Sequence, residues 1–243
     1  MPEDKEVKAA NPSPKKKKTT TITVKANKKG KHRMFLMAFL RVVALPVYFL
    51  LKPFRVYGKR KVADGACIYI CNHYSMFDPA YVVTTTWEGI HFIAKREAFK
   101  IPVIGWIMRR VKCISVNRDG NDVRGLLDAM KCLKNNEKIC IFPEGTRNTV
   151  DGDFLPFRPG AAIMSIKTKT PIVPIVICSR PRLFRCTHIL VGEPFELSEY
   201  YNQKPTDEEI LKIDESLRQR MVDMRKEHFE LLASKKRKGN VKA

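Results

Sequence analysis

The sequence predicts an α/β fold in which a largely parallel central sheet is flanked by helices. From about residue 55 onward, apolar runs rich in β-branched residues alternate with stretches of helical periodicity. That alternation is typical of parallel sheets with crossover helices, and 243 residues are enough to bury one substantial core. The predicted strands are 66–71, 90–94, 112–117, 138–142, 172–178 and 187–191, and the predicted helices between them are 79–87, 102–110, 121–135 and 159–168.

The chain begins with a basic tail over residues 1–33. The tail holds eleven Lys and Arg residues against three acids, a net charge of +8, and it includes the run Lys15–Lys18. Because such a composition cannot bury a core, we predict that this segment is disordered. It lacks a small-residue cleavage site after an apolar core, so a cleaved signal peptide is not expected.

Residues 34–54 are predicted to be a helical segment that associates with a membrane. The stretch MFLMAFLRVVALPVYFLL at 34–51 would form a helix about 27 Å long, near the lower limit for crossing a bilayer. In a spanning helix Arg41 would lie near mid-membrane, at a cost of at least ~2.5 kcal/mol, and Pro46 would kink the helix. We therefore favour a segment that lies in the interface or dips into one leaflet. A spanning helix and a plain core helix are the alternatives.

Residues 55–234 form the predicted α/β domain, and its last helix covers 206–232. Thr206 or Asp207 is suited to cap this helix, and the acids that follow suit its positive N-terminal end. Residues 235–243 are predicted to be a basic C-terminal tail. The default interpretation of such a tail is solvated charge, but beside an apolar N-terminal segment it favours a second, weak membrane contact.

The formal net charge of +21 calls for a polyanionic partner, either an anionic membrane surface or nucleic acid. The charge is concentrated at the two ends of the chain, since residues 218–243 carry nine Lys and Arg against three acids. No nucleic-acid-binding motif interrupts the middle. We therefore expect binding to an anionic membrane surface and not to nucleic acid.

The cysteines favour reduced, buried thiols in a cytoplasmic setting. There are seven, an odd number, and most of them lie inside apolar runs. Cys67, Cys71 and His73 invite a metal site, but residues 67, 69 and 71 of a strand simply share a face, and no other cysteine pair has zinc-ligand spacing. No metal site is predicted. A strand-buried thiol at Cys71 or Cys140 is not expected to act as a nucleophile.

A histidine and an acid occur in the loop that follows the predicted strand 66–71. His73 and Asp78 belong to residues 72–78, NHYSMFD, and Pro79 then favours a helix start. In one continuous helix their side chains would point about 140° apart, so they can meet only across a strand-to-helix bend. A carboxylate on one imidazole nitrogen fixes the tautomer and leaves the other nitrogen to take a proton. The alternative role of Asp78 is an N-cap, and the two roles are compatible because a carboxylate has two oxygens.

A second polar loop, residues 142–147 with the sequence FPEGTR, follows the apolar run 138–141. Loops at strand ends of open α/β sheets are common ligand sites. Arg147 suits a phosphate because its planar fork donates two hydrogen bonds at once. Taken alone, the loop could equally be a surface turn with a weak ion pair between Glu144 and Arg147.

Taken together, four blocks resemble the glycerolipid acyltransferases. Asn72 and His73 with Asp78 are similar to the NHxxxxD signature of that family, and residues 142–147 are similar to its FPEGTR block. Residues 92–97, followed by 101–102 and 105–106, resemble the block between them, which closes near Arg118. Residues 171–174 resemble the fourth block. Because order and spacing also fit over about residues 55–200, the chain is identified as a member of the 1-acylglycerol-3-phosphate acyltransferase group of this family.

The resemblance implies a role for each matching residue. His73 and Asp78 would be catalytic, Arg147 would bind the acceptor phosphate, and Arg118 and Lys95 would be further phosphate contacts. The remaining residues implied to bind substrate are Asn72, Glu144, Gly145 and Thr146. Asn117 and Asn148 depart from the usual family residues, which leaves fine substrate preference open.

The implied reaction moves a fatty acyl group from acyl-CoA or acyl carrier protein to the sn-2 hydroxyl of lysophosphatidic acid, making phosphatidic acid for phospholipid biosynthesis. No cofactor is expected, because the thioester supplies the driving force. The oxyanion would need N–H donors, for which the amides around Gly145 are the candidates. The expected location is the cytoplasmic face of the cell membrane.

Two other functions remain open from the sequence. An acyltransferase of the same superfamily could use glycerol 3-phosphate or another lysolipid as the acceptor. A more remote alternative is a basic protein that binds membranes or nucleic acid without catalysis.

Overall fold

The structure is a computed structural model that describes residues 50–60, 64–86, 88–117, 123–150 and 153–240. The predicted tail 1–33, residues 34–49 of the predicted membrane-associating segment, and Arg118 lie outside these residues. Within the described ranges, no helix combines the length and the apolar character needed to cross a membrane.

A seven-stranded sheet forms the centre of the molecule, in the order β1-β7-β6-β2-β5-β3-β4. Its strands are β1 Phe54–Tyr57, β2 Ile68–Cys71, β3 Ile90–Lys95, β4 Ile114–Val116, β5 Lys138–Ile141, β6 Ile172–Ile177 and β7 Thr187–Val191. The strands from β6 to β4 pair in parallel. Strand β7 is antiparallel to β6 and parallel to β1. Strands β7 and β1 therefore run opposite to the other five strands.

Five α-helices accompany the sheet within the described residues. They are α1 Asp78–Thr86, α2 Pro102–Arg110, α3 Val123–Lys134, α4 Gly160–Thr168 and α5 Asp207–Asn240, with 3₁₀ turns at Arg96–Lys100 and Ser198–Tyr200. A capping box starts α5, because the Thr206 hydroxyl accepts from the Glu209 amide while the Glu209 carboxylate accepts from the Thr206 amide.

Each face of the sheet packs against its own hydrophobic cluster. Ile68 and Ile70 of β2 contribute to the cluster that includes residues of α3, α4 and α5. Tyr69 and Cys71, one residue out of phase, contribute to the opposite cluster with Tyr81 of α1. This alternation follows from the two-residue period of a strand, and it gives a three-layer arrangement of helix, sheet and helix.

The predicted fold class is confirmed, with three differences in detail. Strand β1 is not among the predicted strands, and the reversed direction of β7 was not predicted. The last helix continues to Asn240 instead of ending at 232, so it includes much of the segment predicted to be a basic tail.

Because β2, β5 and β6 are parallel neighbours, the loops that follow them emerge at the same edge of the sheet. The loop after β2 carries His73, and the loop after β5 carries residues 142–147. The fold therefore brings the two predicted motifs together.

Candidate active site

Asn72 fixes the loop after β2 to the end of β6. Its side-chain carbonyl accepts from the Ile177 amide at 2.8 Å, and its side-chain NH₂ donates to the Ile177 carbonyl at 3.1 Å. The side chain is fully buried. Asn72 is therefore placed to position the loop, because its side-chain amide is bonded to the Ile177 backbone and buried, and its predicted substrate contact stays a prediction.

His73 and Asp78 are in direct contact across the strand-to-helix bend. The His73 Nδ1 to Asp78 Oδ2 distance is 2.9 Å. An ionised carboxylate can only accept, so Nδ1 carries the proton and Nε2 presents its lone pair. The imidazole stacks on the Phe142 ring with centroids 4.3 Å apart, and the His73 side chain keeps 18% of its surface exposed. Nε2 is thus set up to accept a proton from a bound hydroxyl.

Asp78 is the first residue of α1, but its carboxylate turns back to the loop instead of capping the helix. Oδ2 accepts from the Tyr74 amide at 2.6 Å and from the Ser75 amide at 2.7 Å, in addition to His73. The carboxyl group is fully buried. These two amides fold the loop around the carboxylate, and the positive end of α1 favours its negative charge.

Glu144 links the second motif to the first. One carboxylate oxygen accepts from the His73 backbone amide at 2.8 Å and the other accepts from the Leu155 amide at 3.1 Å. Burial raises the pKa of Glu144, while the two amide donors oppose that shift. Because both oxygens are engaged and the side chain is buried, Glu144 is placed to position His73, and its predicted part in substrate binding stays a prediction.

Gly145 allows the tight turn of the second loop. Its φ of +69° lies in the left-handed region, and a Cβ at this position would approach the Arg158 Nε to 2.6 Å. Its amide donates to the Phe142 carbonyl at 3.0 Å. The Gly145 N–H therefore closes the turn, and of the amides around Gly145 that are predicted as oxyanion donors, those of its neighbours stay a prediction.

Arg147 and Thr146 are exposed at the end of this loop. Arg147 makes no hydrogen bond or ion pair with the described residues, so its guanidinium can bind an anion. It neighbours Asn148, whose backbone N–H donates to the His73 backbone carbonyl at 2.6 Å. This backbone contact keeps the predicted phosphate ligand beside the predicted base.

Lys95 ends β3, on the far side of β5 from His73. Its ammonium is 3.6 Å from the Glu97 carboxylate, and both side chains are partly exposed. Lys95 therefore lies at the carboxyl-terminal end of the parallel strands, where the loops with His73 and Arg147 also emerge. This end is called the catalytic edge of the sheet. Lys95 and Arg147 lie on the same side of His73 there.

Sequence reasoning missed two arginines at this edge. Arg158 lies against Gly145, and its amide donates to the Pro143 carbonyl. Arg180 donates from Nη2 to the Asn148 carbonyl at 3.0 Å. Neither belongs to a matched block, and both reach the site through contacts between distant parts of the chain, so no local signal identifies them.

The thiols near the site are not suited to nucleophilic catalysis. Cys71 and Cys140 are fully buried, and burial raises the pKa of each thiol well above its usual value.

A group of residues that could hold a metal ion lies at the opposite end of the parallel strands, where β3 and β5 begin. Ligand atoms of His91, Cys132 and Glu137 lie within 4.8 Å of one another. His91 lies near the start of β3 and Glu137 directly precedes β5. This group is therefore separate from His73.

The chain is similar in sequence to known acyltransferases. Residues 53–178 match the acyltransferase family profile. The chain is 37% identical over 119 residues to the chloroplastic 1-acyl-sn-glycerol-3-phosphate acyltransferase BAT2 of Brassica napus, covering 47% of this chain and 33% of that protein. It is 28% identical over 181 residues to the 1-acyl-sn-glycerol-3-phosphate acyltransferase of Bacillus subtilis, covering 70% of this chain and 87% of that protein.

A solved structure has a similar fold. The crystal structure of the 1-acyl-sn-glycerophosphate (LPA) acyltransferase PlsC from Thermotoga maritima superposes with a TM-score of 0.64 at 26% identity, covering 82% of this chain and 83% of that one. The match to the family profile covers more than half of the 243 residues and includes both motifs. The chain belongs to the acyltransferase family.

Proposed function

We propose that this protein transfers a fatty acyl group from an acyl thioester to the sn-2 hydroxyl of 1-acylglycerol 3-phosphate, producing phosphatidic acid. The observation that carries the proposal is the contact of His73 Nδ1 with the buried Asp78 carboxylate, next to a loop that presents Arg147. The names of the relatives support the choice of acceptor.

In this mechanism the acceptor hydroxyl gives its proton to His73 Nε2 as its oxygen bonds to the thioester carbonyl carbon. Asp78 stabilises the imidazolium that forms. When the tetrahedral intermediate collapses, the carbon–sulfur bond breaks and the departing sulfur takes the proton from Nε2. General-base assistance of this kind is worth roughly 10²–10⁴-fold in rate.

Arg147 would hold the acceptor phosphate while the hydroxyl is oriented toward Nε2. A guanidinium can donate two parallel hydrogen bonds to one phosphate, which fixes both distance and direction. Lys95, at the end of the strand next to β5, would add charge on the same side of the imidazole. The role predicted for Arg118 falls on a residue outside the described ranges and stays a prediction.

Association with an anionic membrane surface is part of the proposal. Exposed apolar side chains, Leu50, Met76, Phe77, Leu183 and Phe184, lie in segments at the catalytic edge of the sheet. These segments are in contact, since the Phe184 amide donates to the Leu51 carbonyl and the Lys52 ammonium lies 5.7 Å from the centre of the Phe77 ring. Apolar side chains beside cations suit a lipid headgroup interface. The cytoplasmic face of the cell membrane is the proposed location.

The test is an acceptor comparison with the purified full-length chain and an acyl-CoA, following release of free thiol. We expect thiol release that depends on lysophosphatidic acid, with much less in glycerol 3-phosphate or a lysophospholipid without a terminal phosphate. Reactions without acceptor measure simple hydrolysis. Faster turnover with glycerol 3-phosphate would overturn the acceptor assignment, and no acceptor-dependent release with any of them would overturn the proposed activity.

A further inference from the structure

Three side chains with different metal-binding atoms lie together where strands β3 and β5 begin. They are His91 of β3, Cys132 in the last turn of α3, and Glu137, which directly precedes β5. Their ligand atoms lie within 4.8 Å of one another. Within the part of the chain that the structure describes, this is the group of His, Cys, Asp and Glu side chains that is close enough to share one ion.

The backbone brings these three residues together. Strands β3 and β5 are parallel neighbours in which His91 pairs with Ile139, so Glu137 lies two residues before the partner of His91. The Glu137 amide donates to the Cys132 carbonyl at 3.0 Å, which folds the turn after α3 back toward the helix. Sheet register and a hydrogen-bonded turn therefore form the group. No local sequence motif indicates it, because its members come from separate elements.

The His91 ring has the orientation of a metal ligand. Its Nδ1 lies 2.9 Å from the Lys112 backbone carbonyl, which can only accept, so Nδ1 carries a proton. Histidines that bind metals usually donate their other ring N–H in this way, because the contact fixes the tautomer and the plane of the ring. The His91 side chain is buried, and its Nε2 is the ring atom that faces Glu137 and can bind a proton or a metal ion.

The distances suit a tetrahedral ion. His91 Nε2 is 3.1 Å from Glu137 Oε2. Two nitrogen or oxygen ligands of a tetrahedral zinc ion lie about 3.3 Å apart, and a thiolate sulfur lies about 3.6 Å from either of them. Because the whole group falls within 4.8 Å, the Cys132 sulfur has to move by at most roughly 1.2 Å to complete the set.

The types of ligand favour zinc. A thiolate beside an imidazole suits Zn²⁺, whereas the hard ions Mg²⁺ and Ca²⁺ prefer oxygen ligands. The Cys132 thiolate and the Glu137 carboxylate together carry two negative charges, which balance one divalent ion. The Glu137 side chain is 36% exposed, so an ion can enter from solvent and water can complete the coordination.

We propose that His91, Cys132 and Glu137 bind one Zn²⁺ ion that has a structural role. The ion joins the last turn of α3 to the beginnings of β3 and β5, at the end of the strands opposite His73. It therefore stabilises the fold and takes no part in acyl transfer. This site goes beyond the proposed function, and it stands whether or not acyl transfer is observed.

The first test is a zinc titration of the reduced full-length protein, after treatment with a chelator, against a competing indicator dye. We expect the wild type to bind one equivalent of Zn²⁺ and to show no binding of Mg²⁺ at the same concentration. Cys132→Ser and Glu137→Gln each remove one ligand, which should weaken zinc binding by at least on the order of 10–100-fold. Glu137→Gln changes a partly exposed side chain, so this variant should keep the wild-type circular dichroism spectrum.

Matched controls remove the same chemical groups elsewhere. Cys186 is an exposed cysteine, Glu230 is exposed on α5, and neither belongs to the group. Cys186→Ser and Glu230→Gln should keep the wild-type Kd for zinc. An unchanged Kd in both Cys132→Ser and Glu137→Gln would place the zinc elsewhere and overturn the proposal. No zinc binding by the wild type would leave His91 and Glu137 as an ion pair only, which would also overturn it.

Cobalt reports the ligands directly. Co²⁺ in the wild type should give the strong visible absorption of a tetrahedral ion together with a sulfur-to-cobalt charge-transfer band. The charge-transfer band should disappear in Cys132→Ser and remain in Cys186→Ser. Binding of Co²⁺ should also weaken as pH falls, because the thiol and the imidazole must lose protons to bind the ion. A charge-transfer band that survives Cys132→Ser would exclude this thiol as a ligand.

Thermal unfolding and kinetics test the structural role. Saturating Zn²⁺ should raise the Tm of the wild type, because an ion that binds only the folded state stabilises it, and it should not raise the Tm of Glu137→Gln. At a temperature where both forms are folded, kcat for acyl transfer should be the same with and without zinc. A fall in kcat on zinc removal would overturn the structural role. Zinc binding with no acyl transfer from either form would count against the proposed function alone.

Discussion

The Asp78 carboxylate organises the catalytic loop by accepting from His73 and from two backbone amides with a single oxygen. Its effect on catalysis therefore goes through the imidazole, whose tautomer and orientation it fixes. Asn72 and Glu144 also act indirectly, by fixing the backbone around His73. Asn72 bonds the backbone of Ile177, Glu144 bonds the backbone amide of His73, and both side chains are buried. The site thus consists of one reactive ring supported by buried polar residues.

Replacing Asp78 by Asn should lower kcat on the order of 10²–10⁴-fold, because a neutral amide neither stabilises the imidazolium nor enforces the Nδ1–H tautomer. KM for both substrates should change little, since Asp78 contacts neither. Loss of charge-assisted hydrogen bonds should also cost about 1–3 kcal/mol of unfolding free energy. Steady-state kinetics and urea unfolding measure the two effects. A kcat within tenfold of wild type would contradict the assigned role.

Replacing Arg147 by Lys should raise KM for lysophosphatidic acid about tenfold, because an ammonium keeps the charge but loses the paired donors. KM for acyl-CoA should stay the same. Arg124 is exposed on α3, so Arg124→Lys provides a matched control that should leave both KM values unchanged. An effect of Arg147→Lys on the donor KM alone would place the acceptor phosphate elsewhere.

The C-terminal helix α5 carries a buried acid that lies outside the two predicted site motifs, residues 72–78 and 142–147. Asp214 is buried among the apolar residues that dock α5, and neither carboxyl oxygen has a hydrogen-bond partner among the described residues. Burial raises the pKa of Asp214 to about 7. The folded protein therefore keeps this proton at pH values where the unfolded chain has released it.

This makes the docking of α5 sensitive to pH in a defined direction. Because the folded pKa is raised above the ordinary value of 3.8, the stability contribution of Asp214 is full at low pH and is lost as pH rises toward about 7. Asp214→Asn removes the titration. The stability of the variant relative to wild type should rise by about 2–4 kcal/mol between pH 5 and pH 8.

Urea unfolding at the two pH values tests this prediction. Asp223 is exposed on the same helix and accepts from Gln219, so Asp223→Asn is the matched control and should show a nearly constant difference from wild type. A constant difference for Asp214→Asn as well would show that the carboxyl is ionised in the folded state.

The hydrophobic pattern was sufficient to predict five of the strands that pair in parallel and the helices around them, because buried runs and helical periods are local properties. Strand β1 was missed because Phe54–Tyr57 is short, contains Arg55 and lies at the sheet edge. The direction of β7 was not predicted because an apolar run indicates a buried strand without indicating whether it pairs in parallel or antiparallel. The contacts of Arg158 and Arg180 depend on how distant loops meet, which no single stretch encodes.

At the scale of the whole molecule, the net charge of the chain and the exposed apolar side chains at the catalytic edge both suit the use of a membrane-bound substrate. The net charge is +21, of which +8 falls in residues 1–33. An enzyme held at the bilayer avoids extracting its acyl-chain substrates into water, at a saving of ~0.8 kcal/mol per methylene. The apolar side chains at the catalytic edge would then face the lipid from which the acceptor comes.

Flotation with vesicles tests this arrangement. The full-length protein should float with vesicles that contain anionic lipid, and binding should weaken as salt is raised because screening reduces the attraction. Deletion of residues 1–51 should abolish most of the binding. Equal binding to vesicles made only of zwitterionic lipid would contradict the electrostatic part, and full binding by the truncated protein would contradict the role of the N-terminal segment.

The most direct test of the mechanism is thiol release from acyl-CoA by His73→Ala in the presence of lysophosphatidic acid. We expect a fall in kcat of at least about 10²-fold, while the circular dichroism spectrum, melting temperature, coenzyme A affinity and vesicle binding stay at wild-type values. A variant that keeps those properties and retains more than a few per cent of the wild-type kcat would show that His73 is not the base.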